Sequence, residues 1–153
     1  LINEQKSFIL TELFIHIETR PVIMIDDDPE DLDMTREMVE GFSIPNELIT
    51  FMDPLEALAS LVKMDGLPLL IICDVNMPRM DGFELRTELL KNPGTEKIPF
   101  FFFSTSKSPG EIMLAQECKA DGYYQKAGSF GEQLIILDDM FLIAKSIWQS
   151  RNS

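Results

Sequence analysis

Three acids, a hydroxyl and an amine stand at comparable places in this chain. Asp74 ends the apolar run 69–73 and opens the loop Val75-Asn76-Met77-Pro78-Arg79-Met80-Asp81-Gly82. Asp26 and Asp27 end the apolar run 22–25, Ser104 ends the run 98–103, and Lys126 closes 122–125. Apolar runs of this length read as strands buried on both faces. Each polar side chain would therefore stand where a buried strand reaches the surface. In open α/β sheets, ligand and reaction sites gather at the carboxyl ends of strands. A carboxylate fixed there on a rigid element is a candidate nucleophile or metal ligand.

The elements that position these residues alternate along the chain. After the strand at 22–25, Pro29 suits the first turn of a helix, with acids near its positive end. That helix runs to about Glu40, and Gly41 is expected to stop it. A second strand is expected over 48–51. Asp53-Pro54 then caps a helix carrying Leu55, Leu58, Ala59 and Val62 at helical spacing. Gly66 and Pro68 break that helix before the strand 69–73. A third helix spans 83–90 and ends at Asn92-Pro93-Gly94. A strand at 98–103, a helix at 109–119, a short strand at 122–125 and a last helix at 130–148 complete the order. Five strands alternating with five helices imply a parallel sheet covered on both sides. Residues 1–20, with Phe8, Ile9, Leu10, Leu13, Phe14, Ile15 and Ile17, fit neither a clean helix nor a clean strand. They are treated as an extension of unknown role.

Composition narrows the function. The 153 residues suit one domain, 21–150, with no output domain expected after it. The net charge of −13 argues against a nucleic-acid-binding surface and against docking on an anionic membrane. No apolar run approaches a membrane span, and the first residues lack the basic start of a secretory signal. A cytoplasmic protein is expected. Cys73 and Cys118 stand in no metal-ligand or redox spacing and read as reduced structural thiols. His16 is the single histidine, so no His-cluster metal site is available.

Asp74-Val75-Asn76-Met77-Pro78 with Met80-Asp81-Gly82 resembles the phosphoacceptor loop of two-component response-regulator receiver domains, of the stand-alone chemotaxis-regulator type. The resemblance covers about residues 21–148. It implies a flavodoxin-like, doubly wound (βα)5 fold with strand order 2-1-3-4-5. That order would bring Asp26, Asp27 and Asp74 together. Like charges ~4 Å apart repel by roughly 4 kcal/mol at an effective dielectric of ~20, so the cluster needs a cation or a raised pKa. Oxygen ligands with room for water suit Mg²⁺, or Mn²⁺. By resemblance, Asp27 and Asp74 ligate the metal directly, Asp26 through water and Asn76 through its backbone carbonyl. Asp74 is the implied phosphoacceptor. Ser104 supplies a hydroxyl to the phosphoryl group, with Thr105 at the small position after it. Tyr123 is the aromatic that follows this hydroxyl, and Lys126 pairs with Asp74. Taken alone, Asp26-Asp27-Asp28 is a solvated helix start and Ser104 a turn residue; the shared register gives them meaning. One departure stands out. The family has Pro after the Lys, whereas this chain has Ala127. A cis bond there would cost roughly 3 kcal/mol, so a trans bond with a shifted loop or a strained cis bond is expected.

The implied function is a regulator, not an enzyme, that accepts a phosphoryl group on Asp74 and switches a protein-binding face. Its partners would be a sensor histidine kinase or histidine phosphotransfer protein and a downstream protein target. The alternative is a receiver-like interaction module that is never phosphorylated. A phosphatase of the haloacid dehalogenase type wants a second Asp where Asn76 stands. A calcium loop starting at Asp74 fails because Pro78 occupies a ligand position. On the last helix, Phe130, Leu134, Leu137, Phe141, Ala144 and Trp148 form one apolar stripe, with Ile136, Ile143 and Ile147 beside it. That arc is wider than one sheet face requires and suggests a homodimer or partner surface.

Overall fold

The computed structural model describes residues 19–126 and 128–151. The strands are β1 (Val22–Ile25), β2 (Leu48–Phe51), β3 (Leu70–Cys73), β4 (Phe100–Ser104) and β5 (Gly122–Gln125). The helices are α1 (Pro29–Gly41), α2 (Pro54–Lys63), α3 (Gly82–Leu90), α4 (Pro109–Glu117) and α5 (Phe130–Arg151), with a 3₁₀ turn at Thr95–Lys97. All strand pairs are parallel, in the order β2-β1-β3-β4-β5. This is the flavodoxin-like architecture expected from the sequence.

Alternation along the central strands explains why they are apolar throughout. Val22, Met24, Leu70, Ile72, Phe101 and Phe103 face α1 and α5, meeting Leu32, Met38, Leu137, Phe141 and Trp148. Ile23, Ile25, Ile71, Cys73, Phe100 and Phe102 face the other helices, meeting Ala57, Leu61, Leu85, Leu89 and Ala115. Helix starts use the acids seen in the sequence. Asp28, Asp53 and Asp81 are N-caps that accept from Glu30 N, Leu55 N and Glu84 N.

Two helix ends differ from expectation for one reason. Gly41 does not stop α1; it lies in the last turn, and Ser43 takes the left-handed conformation at φ 51°. Ser43 N donates to Glu40 O and Ile44 N to Val39 O, the paired bonds of a Schellman end. The partly buried Ile44 packs against the cluster containing Val39, so an apolar clasp set the stop where glycine alone suggested another. The same motif ends α4 at Glu117, short of Lys119, whose φ is 57°. Buried Arg86 of α3 reinforces it by donating to the carbonyls of Cys118 and Lys119. Strand β4 is shifted to Phe100–Ser104 from the expected 98–103, because Pro99 has no N–H to give a ladder.

The apolar arc of α5 is largely spent inside the molecule. Leu137, Phe141, Ala144 and Trp148 are core, and Ile136 and Ile143 pack partly against the same cluster. Trp148 Nε1 donates to Leu69 O at 2.9 Å, and the Arg20 guanidinium lies 4.3 Å from its ring centroid. Trp148 is therefore no docking residue. Trp148→Glu would bury a carboxylate in that place and is expected to lose about 4 kcal/mol or more, read as a fall in the urea midpoint. The apolar side chains that α5 leaves most open are Ile135 and Leu142, 71% and 60% exposed. No helix among the described residues is long and apolar enough to cross a membrane. Residues 1–18 of the extension, and the Lys126–Ala127 bond, lie outside the described residues.

Candidate functional site

The sheet register delivers the acids to one edge. Ile25 of β1 pairs with Cys73 of β3, so the next residue of each strand, Asp26 and Asp74, stand side by side. Asp74 N donates to Ile25 O and Asp26 N to Phe51 O, extending the ladders to these residues. Asp27 joins them: one carboxylate oxygen from each of Asp26, Asp27 and Asp74 lies within 4.8 Å of the others. Asp26 and Asp74 are buried, whereas Asp27 opens to solvent.

Burial and mutual repulsion set the electrostatics. Burial pushes the Asp74 carboxyl up to about 6, and the Asp26 charge adds to the rise; Lys126 and the Val75 N–H offset part of it. Burial also raises Asp26, against its bonds from Lys126 and Asp28 N. Lys126 responds oppositely. Burial pulls its pKa down, but hydrogen bonds to Asp26 and Asp31 outweigh that and leave it above its ordinary value. The ammonium is 2.8 Å from Asp26 Oδ2, 2.8 Å from Asp31 Oδ2 and 3.6 Å from Asp74 Oδ1. Lys126 was expected on Asp74; its short contacts are with the other two acids.

The remaining expected residues fall into two groups. Asp74 Oδ1 accepts from Val75 N at 2.8 Å, which fixes the carboxylate at the mouth of the loop. The loop folds back as Gly82 N donates to Val75 O. A Cβ at Gly82 would lie 2.3 Å from the Asp74 carbonyl oxygen, so the glycine permits this close return. Asn76 stands exposed on the same loop. Ser104 is fully buried, and its Oγ accepts from Ser106 N at 3.2 Å. Thr105 is exposed. The half-buried Tyr123 hydroxyl lies 3.0 Å from both Ser106 O and Glu111 Oε2. It carries one proton for two acceptors, and so joins the loop after β4 to the first turn of α4.

Sequence reasoning missed Asp31 and Glu111. Asp31 was one of six acids among residues 26–33, and nothing in the one-dimensional pattern separates an acid facing an ammonium from one facing water. Its place in the first turn of α1, which leaves directly from the Asp26-Asp27 strand end, is the signal that was available.

The donor set fits a hard divalent cation. All three groups offer carboxylate oxygen, two are withdrawn from water, and the raised Asp74 pKa marks a charge that a cation would relieve. Chemically, the arrangement sets a fixed carboxylate oxygen beside acids that could hold a cation and beside an ammonium.

The sequence model of the response regulator receiver domain matches residues 22–138. The chain is 27% identical over 131 residues to response regulator Rcp1 of Synechocystis sp., covering 82% of this chain and 84% of that protein. Its fold is similar to the phosphorylated cyanobacterial phytochrome response regulator RcpA, with TM-score 0.72, 25% identity, and 87% and 96% of the two chains covered. The Mn²⁺-bound form of Rcp1 gives TM-score 0.66 at 26% identity, covering 84% and 91%. Chemotaxis protein CheY4 of Vibrio cholerae gives 0.69 at 26% identity, covering 80% and 98%.

Proposed function

The chain belongs to the response regulator receiver domain family, and from that premise we propose that it accepts a phosphoryl group on Asp74 from a histidine kinase or a histidine phosphotransfer protein. The observation that carries this reading is the placement of Asp74. Its carboxylate is fixed by Val75 N, within reach of Asp26 and Asp27, and 3.6 Å from the Lys126 ammonium. An Asp74 oxygen attacks phosphorus, the O–P bond forms, the P–N bond to the donor imidazole breaks, and its electron pair stays on that nitrogen. Lys126 faces the oxygens that gain charge.

Asp27 and Asp74 would hold a Mg²⁺ ion directly, Asp26 through water and Asn76 through its carbonyl. When bound, the ion neutralises charge on the transferring group. Mn²⁺ has the same ligand preferences, and a Mn²⁺-bound form of the relative Rcp1 is known.

The acyl phosphate adds about −1.5 to −2 charge. Ser104 supplies the hydroxyl that answers it in this reading, which is supported by the bond from Ser106 N to Ser104 Oγ. A shift of that loop alters the Ser106 carbonyl and hence which acceptor the Tyr123 proton takes. Through Glu111 the change reaches α4, giving a population shift on a protein-binding face. A downstream protein is the proposed reader. If α5 joins that contact or a contact between copies, Ile135 and Leu142 are its apolar groups, seven residues apart on one stripe.

Incubation with acetyl phosphate and Mg²⁺, followed by intact-mass measurement and peptide mapping, tests the reading. The expected product is a hydroxylamine-labile phosphoryl adduct on the peptide containing Asp74, absent when EDTA is present. No adduct from acetyl phosphate or from a panel of phosphohistidine donors, in a protein that binds Mg²⁺, would favour the phosphorylation-independent interaction module.

A further inference from the structure

Lys126 is shared between two carboxylates, and one of them belongs to no motif. Asp31 Oδ2 lies 2.8 Å from the ammonium, as close as Asp26 Oδ2. The Lys126 side chain is 8% exposed and that of Asp31 20%, so this is not a solvated surface pair. A first-turn acid on a helix needs no partner beyond the helix dipole. Glu30, the other first-turn acid of α1, fits that description, being exposed. Asp31 departs from it by turning inward onto an ammonium.

The ammonium has three donors. Two are taken by Asp26 and Asp31, leaving the third for Asp74 Oδ1 at 3.6 Å. Both oxygens of Asp26 are engaged as well, Oδ1 by Asp28 N and Oδ2 by Lys126. A divalent cation drawn to Asp26 would therefore meet Lys126 already in contact with it. Two cations on one carboxylate repel strongly at such range. An ammonium that retreats in a site this closed needs a partner to retreat to, because an unpaired buried charge is costly.

We infer that Asp31 is a positioning residue that keeps the Lys126 ammonium paired and held near Asp74 when Asp26 turns to a divalent cation. The inference rests on the receiver reading of the site and extends it by one residue. Asp31 does not ligate the metal in this account. It acts through Lys126, making the cation-bound arrangement compatible with an amine that must remain beside the nucleophile.

Calorimetric Mg²⁺ titration of four proteins tests it: wild type, Asp31→Asn, Lys126→Met and the double variant, each checked for cooperative folding by thermal melt. Asn keeps the shape of Asp31 and removes its charge. Asp31→Asn is expected to weaken Mg²⁺ binding about tenfold, within the coupling range of double-mutant cycles. Lys126→Met is expected to tighten binding, since it removes the competing cation. In that background Asp31→Asn should change affinity by less than about twofold. An equal loss in both backgrounds would show Asp31 acting as a through-space charge and overturn the inference. So would an unchanged affinity for Asp31→Asn alone. A wild-type protein that binds no Mg²⁺ would overturn the metal reading itself, an outcome distinct from a silent Asp31.

Discussion

Asp74→Asn is expected to abolish the acyl phosphate and, at the same time, to make the metal-free protein more stable at neutral pH. The first effect is a total loss. Asn offers no anionic oxygen to attack phosphorus, so the adduct expected by intact mass in the wild type should be missing at any concentration of acetyl phosphate. The second effect follows from the pKa. Asp74 titrates near 6 in the folded protein against an ordinary 3.8, with burial the main cause and Asp26 the next. The folded state thus binds this proton more tightly than the unfolded state does. Stability is fully present below the unfolded value and declines as pH rises through the folded one. By pH 7 the ionised Asp74 has lowered stability by on the order of 2 kcal/mol. Asn lacks that titration. Urea unfolding in EDTA should show Asp74→Asn gaining over wild type between pH 4 and 6, with the difference vanishing near pH 4. If the variant were less stable than wild type at pH 7, the carboxylate would be a contributor to the fold, and the reading of Asp74 as a strained functional group would fail.

That tension explains why some of this protein was legible in its sequence and some was not. The strands announced themselves because central parallel strands are covered on both sides. A run such as Phe100 to Phe103 has no other account in a chain this polar elsewhere. Asp26, Asp74 and Lys126 were legible because each interrupts such a run at its carboxyl end, where the sheet register brings neighbours together. What could not be read depends on direction within a turn. Asp31 and Glu111 are ordinary first-turn acids until the side chains that they face are known. Trp148 was misjudged for a related reason. Periodicity places it on the stripe of Phe141 and Ala144, but only its bond to Leu69 O and its cover by Arg20 reveal that the stripe ends inside the molecule. Gly41 and Ser43 show local chemistry losing to packing, since the Ile44 clasp placed the left-handed residue at Ser43 and not at the glycine two residues before it.

Among changes within the site, removal of the Lys126 charge should produce the largest loss of stability, and the conditions that rescue it identify its cause. Lys126→Met keeps an apolar stem and deletes the cation, which lies 5.9 Å from the Phe103 ring centroid and among Asp26, Asp31 and Asp74. Breaking a buried ion pair from one side typically costs about 3–5 kcal/mol, because the partner is left charged and uncompensated. Asp26, buried at the end of β1, is that partner. A loss of about 3 kcal/mol at pH 7 in EDTA is expected from the urea midpoint. The sign of its pH dependence is fixed by the acids that remain. Without the ammonium the folded pKa values of Asp26 and Asp74, already raised by burial, rise further, so the variant loses stability as pH climbs from about 4 towards neutrality, and the deficit should shrink on acidification. Mg²⁺ should also shrink it, since the same carboxylates would hold a new counter-charge. A deficit that persisted unchanged at pH 4 and in saturating Mg²⁺ would point instead to lost packing around the side chain. In that case the ammonium would owe its place to the fold, not to the acids. Rescue by both acid and Mg²⁺ would mean that one cluster of oxygens answers to proton, amine and metal alike, as a site built to receive a phosphoryl group requires.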